Sequence, residues 1–553
     1  MMGIMDAVLA SVGERVLSAP EKVQNSIDRM TNLFARGHYA PIGLLSGGKD
    51  SSCALSMSLV AWSRACRRNP KLKSLPFIIL SVDTKVEMPV KANYLKAEFR
   101  AYMDFAKDNG INLFIDTPSP NISSRWQGKV VGGSYRNFNV ARTSGHKCAI
   151  LWKINVVNQA LKEWHKKLQP TGLKLLTIVG SRMDESNTRK QNLTNFGVKD
   201  GVVVEPSGAT NFHSYYPVLN FTKEDIWNYL LMAEDSENAV FPGIKDGFFG
   251  TVELYNSLAG GECSIDMSNS SCAGSRDGCW QCYASPDEVI DEGIAKTNPH
   301  IAPLVEFRKF MLINDRNSNL RNYIQTQLDD NDLFVKYIPN GLCGAYLLKI
   351  LEIGLTIQKR EIERAARIKE QVELGTYISL GGNEPLIEPQ FTIFAPEDII
   401  FINYSWMVRG LQLEPNAAFK AYWRIMYKGE KVDIPSGYVL DRDFSDELTS
   451  RGRIYLGDIG SGLTRIPNEE HSKELSWQYD EAVCKFLLSE EVLEQWVNDK
   501  SDFLSSAQKL LDSGALSVPK GQLKALATRI NIASVLYELN LNIAAYNGGK
   551  VDT

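Results

Sequence analysis

A glycine-containing loop between an apolar run and a helical pattern constrains the fold of this chain most. The run Ile42–Leu45 is typical of a buried strand, and Leu55 and Leu59 fall at helical spacing after it. Between these two patterns lies the segment Ser46-Gly47-Gly48-Lys49-Asp50-Ser51-Ser52. A strand that ends in such a loop and continues as a helix directs backbone N–H groups and the helix N-terminus towards a bound anion.

The residue types in this loop suit a phosphate. The two glycines let the backbone close around phosphate oxygens, and Ser46, Ser51 and Ser52 supply hydroxyl donors. Lys49 can neutralise phosphate charge, and Asp50 can cap the helix or hold Mg²⁺. The spacing of a Walker A loop is absent, which disfavours β–γ cleavage of ATP. The alternative is a glycine turn before a capped helix, but the complete string in this context favours the phosphate loop.

Apolar runs alternate with helical patterns in the first half of the chain, which predicts an α/β fold with a parallel sheet and flanking helices. The predicted strands are Ile42–Leu45, Phe77–Val82, Leu113–Ile115 and Leu175–Val179. From about Pro303 onward, amphipathic helical patterns predominate. The predicted domains are an N-terminal helical segment at 1–35, a nucleotide domain at 36–255, a four-cysteine segment at 256–300 and a mainly helical C-terminal domain at 301–553.

Polar residues follow the predicted strands at the edge where parallel sheets bind ligands. Asp83 follows the second strand, and Gly180 follows the fourth. Just beyond Gly180, the guanidinium groups of Arg182 and Arg189 can each fork onto a phosphate. We therefore expect these four residues near the nucleotide. The alternative for either arginine is a surface side chain paired with Glu185.

Four of the nine cysteines crowd into one short segment. They are Cys263, Cys272, Cys279 and Cys282. In a cytosolic protein, such crowding favours metal or cluster ligation over disulfides. Four thiolates suit tetrahedral zinc and an iron–sulfur cluster alike, so ligand chemistry leaves both open. Unligated or redox-active thiols are the remaining alternative.

The phosphate loop and the cysteine segment both resemble known families. The loop resembles the Ser-Gly-Gly-x-Asp-Ser signature of the PP-loop superfamily, which has an adenine nucleotide alpha hydrolase-like fold. The string Gly-Glu-Cys…Ser-Cys…Ser-Arg-x-Gly-Cys-Trp-x-Cys resembles DndC-type proteins, the phosphoadenylylsulfate-reductase-like component of DNA phosphorothioation systems, including SspD of the single-strand variant. Further segments that agree in order are Asp83–Pro89, Gly180–Arg189 and Pro217–Trp227. The resemblance covers roughly residues 40 to 290.

This resemblance implies an ATP pyrophosphatase that cleaves ATP to AMP and pyrophosphate and couples the cleavage to sulfur transfer onto a DNA backbone phosphate, in a defence-linked modification. It implies a four-iron four-sulfur cluster on the four crowded cysteines, with zinc as the alternative. It also implies a cysteine desulfurase as sulfur donor and other DNA phosphorothioation proteins as partners. Lys49, Asp50 and Arg182 are then the catalytic candidates, with ATP and Mg²⁺ at the loop.

Cys148 is a separate catalytic candidate, because a thiol beside His146 and Lys147 can be activated to carry a persulfide. The alternative is a buried helix cysteine, which the local pattern favours. The other cysteines lie in apolar or helical settings and are interpreted as structural. They are Cys53, Cys66, Cys343 and Cys484.

Three other functions remain open from the sequence. A phosphoadenylylsulfate reductase shares the fold and the loop, but that family uses a C-terminal cysteine in Glu-Cys-Gly-x-His, and no cysteine follows Cys484 here. A tRNA thiolase would differ only in its acceptor. A non-catalytic ATP-binding scaffold of a DNA-modification complex is the third, and the intact Lys49, Asp50 and Ser51 argue against it.

The net charge and the apolar pattern indicate where the protein is located and how it meets DNA. A formal net charge of -4 provides no overall attraction for nucleic acid, so we expect DNA to be presented largely by partner proteins. No secretory signal is visible near the first residues, and no apolar stretch approaches the ~20 residues that span a bilayer. We therefore expect a cytoplasmic protein with no membrane association.

Overall fold

The computed structural model describes most of the chain. The described residues are 17–135, 147–206, 212–236, 238–258, 279–281, 293, 295–314, 317, 320–322, 324–328, 334–337, 341–378, 384–412, 414–436, 453–455 and 474–538. They group into two compact units. The first unit draws its residues from Met1–Asp83, Val90–Pro118 and Asn155–Ser275, and the second from Thr84–Pro89, Ser119–Ile154 and Arg276–Thr553.

The first unit is built on a parallel sheet of five strands. They are β1 Tyr39–Leu44, β2 Phe77–Leu80, β3 Leu113–Asp116, β4 Lys174–Ile178 and β5 His213–Tyr215. They lie in the order β3-β2-β1-β4-β5, and every neighbouring pair is parallel. The chain moves outward from β1 to β3 and then returns to the opposite side of β1 for β4. The carboxyl ends of β1 and β4 therefore form the topological switch point, where open α/β sheets bind ligands.

Helices flank this sheet. They are α1 Ala19–Ala35, α2 Lys49–Arg68, α3 Pro89–Asp108, α4 Asn155–Leu168, α5 Asn187–Asn195, α6 Lys223–Met232 and α7 Phe249–Leu258. Every residue of β2 is buried, as expected for a strand in a sheet covered on both faces. Trp62 of α2 is fully buried, with its ring centroid 5.5 Å from that of Phe34 and 5.9 Å from that of Phe77. The predicted α/β fold is confirmed.

The second unit is mostly helical, as predicted. Its helices are α8 Ala302–Asn314, α9 Gly344–Glu373, α10 Pro396–Arg409, α11 Ala417–Tyr422, α12 Glu481–Leu487, α13 Glu490–Asn498, α14 Phe503–Asp512 and α15 Leu523–Glu538. Its strands are β6 Ile324–Leu328, β7 Phe334–Tyr337 and β8 Arg453–Tyr455 in one antiparallel sheet, and β9 Gln478–Tyr479 paired antiparallel with β10 Leu516–Ser517. Among the described residues, no helix is long and apolar enough to cross a bilayer.

A π-helical stretch, Gln127–Val131, packs against α10 in the second unit and is called the π turn below. The indole Nε1 of Trp406 donates to the backbone oxygen of Val131 at 2.7 Å. The hydroxyl of Ser405 donates to the backbone oxygen of Gly132, also at 2.7 Å. The described residues of the range Ser119–Ile154 group with the second unit, whereas the sequence-based division includes them in the nucleotide domain at 36–255.

Candidate functional site

The phosphate loop lies at the carboxyl end of β1, where α2 begins at Lys49. Its backbone is held by two serines: the hydroxyl oxygens of Ser46 and Ser51 are 3.0 Å apart, and Ser51 Oγ donates to the backbone oxygen of Gly48 at 2.9 Å. Gly47 has a φ of +75°, a left-handed conformation that side chains other than glycine rarely adopt. The loop is therefore a closed turn at the N-terminus of a long helix, the geometry that binds phosphate oxygens.

Gly180 brings the end of β4 into direct contact with this turn. A Cβ atom at Gly180 would lie 2.6 Å from the backbone oxygen of Asp50 and 2.7 Å from the Cα of Ser51. No side chain fits in that space without a backbone shift. The two strand ends that form the switch point are therefore packed together at the start of α2, with glycine required at the contact.

A carboxylate between two cations lies beside the loop. Asp50 accepts hydrogen bonds from Lys49 Nζ at 2.9 Å and from Arg182 Nε at 2.5 Å, one on each oxygen. Arg182 is only 3% exposed, and its Nη1 also donates to the backbone oxygen of Phe221 at 3.3 Å. The carboxylate thus fixes both cations where an approaching phosphate would meet them. Asp50 can hold Mg²⁺ only with the lone pairs that these cations leave, which suits a metal bound chiefly by phosphate oxygens.

Tyr255 contributes to the site but has no counterpart among the sequence-based candidates. Its hydroxyl accepts a hydrogen bond from the backbone N–H of Lys49 at 3.3 Å, and Lys49 Nζ lies 5.8 Å from the centroid of its ring. Trp227 holds the tyrosine edge-to-face with centroids 5.3 Å apart. Tyr255 is distant from the loop in sequence, so no local pattern indicates this contact.

Ser52 lies beneath the loop rather than in it. Its side chain is fully buried, with its hydroxyl 3.2 Å from that of Tyr94, which in turn lies 2.7 Å from Thr251 Oγ1. Burial raises the pKa of Tyr94 above its ordinary value, so this network consists of neutral hydroxyl groups. Lys91, also buried, comes close to the loop: a Cβ at Gly47 would lie 3.1 Å from its Cε. Lys91 is a second contributor that the sequence motifs did not indicate.

Arg189 and Asp83 lie at the same edge of the sheet in different settings. Arg189 is half-exposed and forms an ion pair with Glu185, four residues earlier in the chain, which is the alternative that the sequence left open. Its Nη1 is also 3.5 Å from Ser181 Oγ. Asp83 follows β2, and its backbone N–H donates to the oxygen of Pro118 at 3.0 Å. The structure thus brings Lys49, Asp50 and Arg182 together, while the Arg189 guanidinium is engaged elsewhere.

Of the predicted cluster ligands, only Cys279 is among the described residues. The other three, Cys263, Cys272 and Cys282, lie outside them. Cys279 is half-buried and forms a backbone bridge with Glu87, while the N–H of Trp280 donates to the oxygen of Val86 at 3.0 Å. In the part of the chain that the structure describes, no three His, Cys, Asp or Glu side chains are grouped as metal ligands. The four-cysteine centre stays a prediction.

The remaining five cysteines differ in how far they are buried. Cys148 is half-buried in the short helical turn Lys147–Ala149, and His146, its predicted neighbour, lies outside the described residues. Its sulfur-carrying role stays a prediction. The four cysteines interpreted as structural are all buried: Cys53, Cys66, Cys343 and Cys484. Burial raises the pKa of the Cys66 thiol to about 11 and that of Cys484 to about 12, which keeps both protonated and unreactive.

Comparison with known proteins supports this description of the first unit. A search of the curated proteins finds no significant match. Residues 40–241 match the family model described as the phosphoadenosine phosphosulfate reductase domain. This range begins in β1 and includes the phosphate loop, Gly180 and Arg182. The chain therefore contains a phosphoadenosine-phosphosulfate-reductase-like domain of the PP-loop superfamily, a family of enzymes that act on adenylyl nucleotides and sulfur.

Proposed function

We propose that this protein is an ATP pyrophosphatase that activates a DNA backbone phosphate for the incorporation of sulfur. The observation that carries the proposal is the closed serine–glycine turn at the switch point of the sheet, held against β4 through Gly180. A turn of this kind binds the pyrophosphate part of ATP, and its sequence lacks Walker A spacing. Cleavage between the α and β phosphates follows as the expected reaction.

The cations beside the loop suit this chemistry. Lys49 and Arg182 are oriented by Asp50 before any substrate arrives. Preorganised cations reduce repulsion when two anions approach each other, which is the main electrostatic difficulty of phosphoryl and adenylyl transfer. Mg²⁺ bound to the phosphates would add charge compensation, with Asp50 as the protein ligand.

The proposed reaction proceeds in balanced steps. A non-bridging oxygen of the DNA phosphate attacks the α-phosphorus of ATP, the α–β P–O bond breaks, and pyrophosphate leaves. A persulfide sulfur then attacks the DNA phosphorus, and AMP leaves with the original oxygen. A thiol finally cleaves the S–S bond, which leaves a phosphorothioate and a disulfide. Adenylylation is needed because the bare diester oxygen is a poor leaving group, whereas AMP is a good one.

The sulfur and partner assignments follow from the family resemblance. A cysteine desulfurase would supply persulfide sulfur, with Cys148 as the candidate relay, and other phosphorothioation proteins would present the DNA. An iron–sulfur cluster would bind Cys263, Cys272, Cys279 and Cys282. Within this set, the half-buried Cys279 beside a buried tryptophan is compatible with a ligand at the edge of such a centre.

A phosphoadenylylsulfate reductase is the second candidate, because the matched family model carries that description. A reductase would use a thiol nucleophile on the sulfonyl group and would release sulfite. A tRNA thiolase would share the ATP chemistry and differ in its acceptor. A non-catalytic scaffold would bind ATP without cleaving it.

The first test is product analysis with ATP and Mg²⁺ under anaerobic conditions. We expect AMP and pyrophosphate, with turnover reduced at least about tenfold in Ser51→Ala because the loop loses the hydroxyl that closes it. Ser74→Ala is the matched control, since Ser74 is exposed and its hydroxyl donates to the backbone oxygen of Lys71, away from the loop. ADP and phosphate as products, or full turnover in Asp50→Ala, would contradict the proposal.

The second arm identifies the acceptor. The protein is expressed with its desulfurase and partner proteins, the DNA is digested, and phosphorothioate-linked dinucleotides are measured by mass spectrometry. Their absence in the Ser51→Ala strain and presence in the Ser74→Ala strain would support the proposed role. Sulfur in tRNA bases would indicate a tRNA thiolase. Sulfite released from phosphoadenylylsulfate would indicate a reductase.

A further inference from the structure

Three cationic side chains from separate elements of the second unit approach one another. Lys129 lies in the π turn, Arg409 is the last residue of α10, and Arg529 lies in α15. All three are half-buried. Among the described residues, none of them forms an ion pair with a carboxylate, and the titratable groups that act on them are one another and the neutral Tyr404. We call these three residues the cationic cluster.

Packing fixes the position of the cluster. Helix α10 packs against both the π turn and α15, so the three cations are carried by elements that touch. The hydroxyl of Ser405 connects Arg409 to the backbone just after the π turn: it donates to the oxygen of Gly132 and accepts from Arg409 Nε at 3.0 Å. This bond holds the guanidinium of Arg409 by one nitrogen. Its two terminal nitrogens form no hydrogen bond with the described residues and are available to a ligand.

Tyr404 supplies an independent indication of a ligand. It is 1% exposed, yet its hydroxyl has no hydrogen-bond partner among the described residues. The hydroxyl is close enough to Arg409 and Arg529 to interact with their charges. Buried hydroxyl groups in folded proteins are nearly always bonded, so this one calls for a partner that accepts or donates a hydrogen bond.

The electrostatics of the cluster are unfavourable without an anion. Burial, together with the charge of Arg529, lowers the pKa of Arg409 to about 9; burial also lowers the pKa of Arg529 and of Lys129. Arg409 gains some compensation from the C-terminus of α10, where the helix dipole is negative. Lys129 contacts the ring of Tyr135, 5.8 Å from its centroid, which does not neutralise its charge. The cluster retains net positive charge in a half-buried setting.

We propose that Lys129, Arg409, Arg529 and the Tyr404 hydroxyl form a binding site for a phosphate group in the second unit. Two guanidinium groups offer planar forks that match the oxygens of a tetrahedral oxyanion, and the ammonium and hydroxyl groups offer single donors. A phosphate dianion or diester would offset the mutual repulsion of the three cations. The site belongs to a different unit from the phosphate loop, and the inference does not depend on the proposed function.

Inorganic phosphate is the probe for the first test. Thermal unfolding of the full chain is followed in chloride and in phosphate at constant ionic strength, and the phosphate Kd is measured by calorimetry. Phosphate should raise the unfolding temperature of the wild type. Arg529→Gln should weaken phosphate binding at least about tenfold, the effect of one lost charge-assisted hydrogen bond. In chloride alone, Arg529→Gln should be as stable as the wild type or more so, because one of three like charges is removed.

The controls separate this site from others. Arg424→Gln is the matched variant, because Arg424 lies in the same unit and is already neutralised by Glu352 at 2.5 Å and Glu430 at 2.6 Å. Its phosphate response should equal that of the wild type. Lys49→Gln removes the phosphate loop as a source of the signal and should retain the response. Lys129→Gln tests the cluster from a different element, and Arg529→Lys should restore part of the binding.

The outcome also identifies the source of the phosphate. Oligothymidylates with and without a 5′-phosphate are titrated against the wild type and Arg529→Gln. If the wild type binds both forms and Arg529→Gln loses this binding, the site binds backbone diesters. If the wild type binds only the phosphorylated form, the site binds terminal monoesters. The proposal would be overturned by an equal phosphate response in the wild type, Arg529→Gln and Lys129→Gln. It would also be overturned if Arg529→Gln were less stable than the wild type in chloride and kept the phosphate response.

Discussion

At the scale of single residues, Asp50 connects the two cations of the nucleotide site. One carboxylate oxygen holds Lys49 and the other holds Arg182. The arginine is nearly fully buried, so its charge is not screened by water as a surface charge would be. Because Nε is bonded to Asp50 and Nη1 to a backbone oxygen, we propose that Arg182 is a positioning residue that fixes Asp50 and, through it, Lys49.

Arg182→Gln tests this positioning role. The variant should lose a buried ion pair, with a fall of about 1–3 kcal/mol in the free energy of unfolding. It should reduce kcat for pyrophosphate release at least about tenfold while KM for ATP changes less, because the transition state depends most on oriented charge. Arg29→Gln is the matched control, since Arg29 forms an exposed pair with Asp200 in the same unit. An equal effect on kcat and KM in Arg182→Gln would contradict the positioning role.

At the residue scale, some contacts of the candidate site could be predicted from the sequence and others could not. The grouping of Lys49, Asp50 and Ser51 in one turn was predictable because the loop signature is local, and their contact with a phosphate stays a prediction. The contacts of Lys49 with Tyr255 and of Ser52 with Tyr94 join residues far apart in the chain, so no local pattern indicates them. The position of Ser52 beneath the loop follows from that packing, which a motif does not specify.

At the scale of elements, the contact between the end of β4 and the start of α2 requires glycine at position 180. Gly180→Ala would place its Cβ 2.6 Å from the backbone oxygen of Asp50. We expect a loss of about 1–3 kcal/mol in the free energy of unfolding, because backbone must move. The affinity for ATP should also fall in Gly180→Ala, since the phosphate loop is displaced. Denaturant unfolding and nucleotide titration measure the two effects.

Gly250→Ala is the control for this substitution. Gly250 lies in α7 of the same unit, and a Cβ there would meet its nearest atom, Tyr94 Cδ2, at 3.4 Å, an ordinary contact. Alanine also favours helix, so this variant should be neutral or slightly stabilising. If Gly180→Ala behaves as Gly250→Ala does, the close packing of strand and helix is not required.

Elements were predictable where a continuous apolar run marks a buried strand. The run at Leu175–Val179 coincides within one residue with β4, whereas the run at Ile42–Leu45 overlaps only the second half of β1, which begins at Tyr39. Strand β5 was missed because His213–Tyr215 is short and half polar, and it becomes a strand only by pairing with β4. The grouping of residues 119–154 with the second unit depends on α10, which lies far along the chain.

At the scale of the whole molecule, a buried carboxylate should affect stability with pH. Burial raises the pKa of Asp398 from 3.8 to about 6, although Arg125 nearby opposes the shift. A carboxyl with a raised folded-state pKa stabilises the protein below its unfolded value and loses that contribution as pH rises through about 6. Between pH 4 and 7, the wild type should lose about 2 kcal/mol relative to Asp398→Asn, which cannot titrate.

Denaturant unfolding over this pH range measures the difference between the two proteins. Asp512→Asn, an exposed position in α14 of the same unit, should follow the wild-type profile. Parallel profiles for the wild type and Asp398→Asn would show that the carboxyl group does not titrate abnormally.

The metal content of the whole protein is the last prediction. Anaerobically purified protein should contain iron and acid-labile sulfide, and Cys279→Ser should lower both, because loss of one of four ligands opens a cluster to water and oxidation. Cys148→Ser is the control and should retain the wild-type iron content, since the relay and the cluster are separate assignments. If the protein contained one equivalent of zinc and no iron, the cluster prediction would be wrong and the four cysteines would form a zinc site.

Trp280, next to Cys279, has an optical consequence. Its indole is 3% exposed and lies edge-to-face with Trp126, their centroids 5.1 Å apart, while Phe307 stacks on it at 6.1 Å. Such a ring is shielded from solvent quenchers and held in one orientation. We therefore expect the difference in emission between the wild type and Trp280→Phe, which removes the contribution of the other nine tryptophans, to report on rearrangement near Cys279 without any added dye.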